Sequence, residues 1–217
     1  MLQKLQTRLL EKNVTLVAVS KMQPDAQILE LYAQGQRIFA ENRVQEMLKR
    51  RASLPADIEW HLIGHLQTNK VKLVVPFVTM IHSVDSLKLL REIDIQAQKV
   101  GRVIDCLLQF YIAEEETKFG LEEAEAIALL ESEAYRDMQH VRLCGVMGMA
   151  SFSEHNVQIR KEFRALHGIF ERLKKQYFKE APYFKELSMG MSGDWEIAVE
   201  EGSTMVRIGS LLFPKKT

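Results

Sequence analysis

One lysine sits where an amine could do chemistry. The stretch LVAVSKMQP, residues 16–24, reads as a buried strand that ends in Ser20-Lys21. A lysine held in partly apolar surroundings has a lowered pKa, because desolvation disfavours the ammonium form. The neutral amine can attack a carbonyl and form a Schiff base. By position alone, an exposed lysine opening a helix remains the alternative. A second apolar run ends in Ala40-Glu41-Asn42-Arg43. Glu41 and Asn42 either face the same mouth as Lys21, or Asn42 caps a helix while Glu41 sits in a solvated ion pair. Two later strand ends, within LSMGMSGDWE (187–196) and GSTMVRIGS (202–210), are rich in Gly and Ser. Small residues allow close backbone approach, and amides with hydroxyls hold phosphate oxygens. Gly190, Ser192 and Gly193 precede a helical stretch at 194–200, with Gly209-Ser210 on the other side. Tight turns without a ligand remain the alternative. Arg207 lies between Val206 and Ile208 inside an apolar run, a costly place for a guanidinium without a partner. It is either in a structural ion pair or aimed at a ligand atom.

These residues need a scaffold that brings strand ends together. Short β-rich runs occur at 16–20, 37–40, 59–63, 79–83, 103–110, 141–146, 186–189 and 204–208. Continuous apolar runs of this length suit parallel strands buried on both faces. Helical spacing fills the intervals. Phe163, Leu166, Phe170, Leu173 and Tyr177 form one face, and Leu87, Leu90, Ile93 and Ala97 another, preceded by the cap candidates Asp85 and Ser86. The β–α alternation fits an open doubly wound sheet or a closed (β/α)8 barrel, and the count of runs favours the barrel. The expected architecture is α/β, a single TIM barrel over 1–217, with the N-terminal helix at 1–11 covering the seam left by the missing last helix.

Composition narrows the function classes. Lys and Arg total 29, as do Asp and Glu, so the basic excess of a nucleic-acid binder is missing. The most apolar window, 71–82, is interrupted by Lys72 and Pro76, which argues against a membrane helix. The N-terminus has no uninterrupted apolar region, so no secretory signal is expected. Cys106 and Cys144 read as reduced, buried thiols of a cytoplasmic protein. His61 and His65 have the spacing of a zinc pair, but Gly64 interrupts it and no Glu follows His61, so a core His and a loop His are expected and no metal site.

A Schiff-base lysine, a phosphate cradle and an inward arginine together suggest pyridoxal 5′-phosphate. Its aldehyde would meet Lys21, its phosphate Ser188, Gly209 and Ser210, and its ring nitrogen Arg207. An arginine cannot accept a proton, so that nitrogen would stay unprotonated, which disfavours a free carbanion.

The segments AVSKMQP, AENRVQE, HLIGHLQTNK, IHSVDS, KFGL, CGVMGMASF, LSMGMSGDWE and GSTMVRIGS resemble the pyridoxal phosphate homeostasis proteins, barrels similar to the N-terminal domain of alanine racemase. The resemblance runs from about residue 16 to 213. It implies a fold-type III barrel that holds the cofactor as an aldimine on Lys21. Arg207 would stand at the ring nitrogen, Ser188, Gly209 and Ser210 at the phosphate, and Asn42 in the pocket wall. It also implies a role in vitamin B6 balance and in amino- and keto-acid homeostasis; transient delivery to apo-enzymes that use the cofactor is the expected partnership. Three departures stand out: Ala40 where the family usually has Gly, Ser210 for Thr, and the segment 109–117 at the mouth.

A carrier is expected rather than an enzyme. An amino-acid racemase needs a second acid/base opposite the lysine, and of the 5 tyrosines only Tyr111 falls near a strand end. A lysine aldolase would want a mid-barrel lysine beside a carboxylate or tyrosine. The 217 residues are taken up by one barrel, and a monomer is expected.

Overall fold

The computed structural model describes residues 2–113, 120–153 and 155–213. Residues 114–117 of the 109–117 departure and the first half of KFGL lie outside the described residues, as do Met1, residue 154 and 214–217.

Each of the apolar runs forms a strand: β1 (Thr15–Val19), β2 (Ile38–Glu41), β3 (Glu59–Leu62), β4 (Met80–Val84), β5 (Ile104–Tyr111), β6 (Val141–Met149), β7 (Glu186–Ser188) and β8 (Met205–Ile208). Neighbours in sequence are parallel neighbours in space, and β8 closes on β1 through Leu16↔Val206 and Val17↔Arg207. The open-sheet alternative is thereby set aside. β6 runs to Met149, past the expected 141–146, and its register shifts against β5 between Cys106 and Leu107. The extra residue is Cys144, and at Gly145 beside it φ is 152° and a Cβ would come within 1.8 Å of the Glu186 carbonyl oxygen.

Helices cover the outside: α1 (Leu2–Leu10), α2 (Asp25–Ala33), α3 (Val44–Ser53), α4 (Val71–Val74), α5 (Leu87–Lys99), α6 (Glu123–Glu131), α7 (Glu133–Arg136), α8 (Asn156–Tyr177) and α9 (Trp195–Glu200). The expected face of α8 buries Phe163, Leu166, Phe170 and Leu173 against the sheet. Ser86 caps α5, its hydroxyl accepting from Leu89 N at 3.3 Å. α1 occupies the seam. Its Arg8 pairs with Glu196 and lies 4.6 Å over the Trp195 ring of α9, while Gln6 donates to Gln36 beside β2. The ion pair is exposed and contributes little. Buried Leu2, Leu5 and Leu9 hold the helix down, at roughly 1.5–3 kcal/mol each.

Alternation along each strand creates two cores. One lies between sheet and helices. The other fills the barrel and includes Val17, Val19, Ala40, Met80, Leu107, Met147 and Met205. Five polar side chains are buried with the strands' inner residues: His61, His82, Gln109, Ser188 and Arg207. Among the described residues no helix is long and apolar enough to cross a membrane.

Candidate binding site at the barrel mouth

Lys21 continues the inward row Val17, Val19 one step past β1. It reaches the mouth exposed, not in the desolvated setting expected from sequence. Its turn is closed by Gln23 N donating to Ser20 O at 3.1 Å, and anchored by Ser20 N on Ala40 O. The next residue, Met22, has φ 61°. A left-handed non-glycine costs of order 1–3 kcal/mol and persists only where its surroundings impose it.

Arg50 supplies that constraint. From α3 its Nη2 donates to the carbonyls of Ser20 (3.3 Å) and Gln23 (2.6 Å), which bracket Lys21 and Met22. Its Nη1 reaches Asp25 at 2.5 Å and its Nε reaches Glu41 at 2.6 Å. The Ser20 hydroxyl donates to the same Glu41 oxygen at 2.7 Å. Glu41 therefore does not face the mouth or sit in a solvated pair. It is 1% exposed on the outer side of β2, beneath the lysine turn. Burial pushes its carboxyl up, while Ser20 and Arg50 draw it down.

Lys21, Gly209 and Ser210 line one cleft of about 570 Å³, together with Ser192, Gly193 and Asp194. The loops after β7 and β8 are tied by Gly209 N donating to Ser192 Oγ at 3.2 Å. A Cβ at Gly193 would meet nothing within 4 Å, so the glycine leaves the cleft wide there. Asp194 places a carboxylate in the same wall, but it accepts from Met191 N at 2.5 Å and so closes its own turn. Its carboxyl is pushed up by burial, against the pull of Arg207. On the far side, Ser151 N and Oγ each donate to the buried Glu162 carboxylate at 2.7 Å, fastening the loop after β6.

Arg207 stands two residues before Gly209 on β8, in the row beneath the cleft, and is 3% exposed. Its Nη1 donates to Ser188 Oγ at 2.6 Å and its Nη2 to Gly148 O at 3.0 Å. Burial pushes it down to about 10. Ser188 is fully buried and pairs with Met205 on β8, its hydroxyl between Arg207 and His82. Asn42 follows β2 and is half-buried. Its Oδ1 is buried without a hydrogen-bond partner, as a group that awaits a ligand would be. The β3 loop lies against it so closely that a Cβ at Gly64 would come within 2.2 Å of Asn42 O.

The structure thus brings Lys21, Gly209 and Ser210 to one cleft, sets Arg207 and Ser188 below it, and places Asn42 just past β2, outside the cleft's lining. Arg50 and His82 were not singled out from sequence. Arg50 is one charge among Lys49, Arg50 and Arg51 on a helix, and His82 is hidden in an apolar run. His61 is the buried member of the histidine pair, while His65 sits in the loop beside Asp85. Chemically, an amine above an obligate donor, with a wall of short side chains, suits capture of a planar aldehyde that carries an anionic group.

The family described as alanine racemase, N-terminal domain, matches residues 2–215. The pyridoxal phosphate homeostasis protein of Aquifex aeolicus (strain VF5) is 40% identical over 207 residues, 95% of this chain and 89% of that protein. The chain belongs to the pyridoxal phosphate homeostasis protein family. The structure of PipY from Synechococcus elongatus PCC7942 without PLP is similar, at 38% identity and a TM-score of 0.90, over 98% of this chain and 97% of that one. PipY with PLP bound superposes with a TM-score of 0.82, over 93% and 92% of the two chains. In this homeostasis-family barrel, the Lys21 turn and the loops after β7 and β8 meet on one cleft.

Proposed function

We propose that this chain binds pyridoxal 5′-phosphate at the barrel mouth and acts as an intracellular carrier or buffer of it in vitamin B6 homeostasis. The observation that carries the reading is the convergence of Lys21, Gly209 and Ser210 on one cleft, with Arg207 in the row beneath. When bound, the cofactor supplies an aldehyde carbon and a pyridine nitrogen. Lys21 Nζ provides the amine for reversible covalent attachment. Gly209, Ser210 and the adjoining Ser192–Gly193 turn hold the phosphate. Arg207, which has only protons to donate, faces the ring nitrogen. Asn42 offers its unpartnered amide oxygen to the ligand's polar edge. Ser188 acts on the ligand through Arg207. The residues fit the ligand on two points independent of the family: the orphaned Asn42 oxygen and the open space at Gly193.

The finer reading is a cytoplasmic monomer, one domain over 1–217, that hands its ligand to apo-enzymes by transient contact. Proton exchange at the α-carbon of amino acids, followed by NMR in deuterated water with ligand-saturated protein, tests carrier against racemase. Exchange far slower than about one per second is expected, whereas turnover at that rate or above would overturn the carrier reading.

A further inference from the structure

A line of hydrogen bonds crosses the barrel interior below the mouth. Arg207 Nη1 donates to Ser188 Oγ at 2.6 Å, Ser188 Oγ lies 3.1 Å from His82 Nδ1, and His82 Nε2 lies 3.0 Å from His61 Nδ1. The four residues stand on β8, β7, β4 and β3, so the line spans the lumen and does not follow the wall. None is more than 3% exposed.

The line has a direction. A guanidinium has no acceptor, so Ser188 Oγ must accept from Arg207. Among the described residues, the side-chain partners of Ser188 Oγ are Arg207 and His82, so the serine proton goes to His82 Nδ1. That nitrogen is then bare, and the single proton of a neutral His82 sits on Nε2, directed at His61 Nδ1. His61 in turn carries its proton on Nε2. The opposite direction would leave the serine proton without an acceptor in a place where unsatisfied groups are costly. Both rings must be neutral for this pattern. Burial does that, pushing His61 down to about 4 and His82 well below the usual range.

We propose that Ser188, His82 and His61 form a tautomer-locked relay that positions Arg207 for the ring nitrogen of the bound cofactor. This rests on the binding reading above. Each dipole in the relay turns its negative end toward the guanidinium, which offsets part of the cost of burying that charge. Together with the bond from Nη2 to Gly148 O, the relay fixes the guanidinium at two points. A histidine suits the central place because its donor and acceptor lie on opposite edges of one rigid ring. His82 and Ser188 are positioning residues, since they reach the ligand only through Arg207.

The test has two arms. Long-range ¹H–¹⁵N spectra of the ligand-free protein at pH 7 should show His82 and His61 as neutral Nε2–H tautomers. An Nδ1–H tautomer or an imidazolium at either residue would overturn the relay. In the second arm, Ser188→Ala and His82→Phe are saturated with pyridoxal phosphate. Each should shift the absorption maximum of the bound ligand and speed its release about tenfold or more, as loss of a bond to a charged group would. Ser188→Thr, which keeps the hydroxyl, should retain both properties. Wild-type maxima and release rates in Ser188→Ala would overturn the proposal, and this arm stands even if His82→Phe fails to fold. A wild type with no visible band would instead overturn the underlying binding reading, a result distinct from an altered band in the variants.

Discussion

Lys21→Ala is expected to abolish the visible absorption band that pyridoxal phosphate develops with the wild-type protein. The band requires a covalent link to an amine, and Lys21 is the lysine that lines the cleft at the mouth. Lys21→Arg should lose the band just as completely. It keeps the charge, but a guanidinium stays protonated and does not condense. That pair of variants separates the two roles open to a mouth lysine. A lysine that only attracts the phosphate would be replaced by arginine with its binding intact. Titration of each variant with the cofactor, followed by absorbance, is the measurement. Weak non-covalent retention by the loops after β7 and β8 should survive in both, and a retained band in Lys21→Arg would count against covalent capture there.

Arg50→Met should destabilise the fold by about 3–5 kcal/mol, the usual cost of removing one member of a buried ion pair. Arg50 and Glu41 expose 7% and 1% of their side chains, so solvent screens the pair little. The variant leaves the Glu41 carboxylate buried with only the Ser20 hydroxyl beside it. Two carbonyls that bracket the lysine turn also lose the guanidinium's hydrogen bonds, and Ser20 O keeps only the bond from Gln23 N. Met22 then has less to hold it at positive φ, so the cofactor should attach more slowly as well. The pH dependence has a definite sign. Glu41 already sits above the ordinary carboxylate range through burial, and loss of Arg50 raises it further. A folded state that binds the extra proton gains stability as pH falls through that raised value. The deficit of Arg50→Met should therefore be full at neutral pH and shrink on acidification until the unfolded-state value is passed. Urea unfolding across pH, with Glu41→Gln/Arg50→Met as the paired control, measures it. The double variant should recover part of the loss, because a neutral amide costs less to bury than an unpaired carboxylate.

These two cases mark what could be read from the chain. The barrel was legible because strands buried on both faces leave unbroken apolar runs, and their order needs no further information when neighbours in sequence are neighbours in space. Lys21 was legible because it follows such a run directly, as were the Gly-Ser ends at 190–193 and 209–210. The clamp on Lys21 was not. Arg50 is separated from Ser20 by a strand and a helix, and nothing in its local pattern distinguishes it from the exposed Lys49. Ser188 was legible as a small polar strand-end residue, but its partners lie on β8 and across the lumen on β4. A sequence states which face of a strand a residue takes, and only closure of the barrel states what it meets there.

The central claim is that Lys21 is the point of capture. Wild-type protein saturated with pyridoxal phosphate, reduced with borohydride and digested, can be mapped by mass spectrometry. One phosphopyridoxyl group per chain is expected, on the peptide that carries Lys21. An unmodified Lys21 peptide, with label absent or scattered over other lysines, would contradict the account.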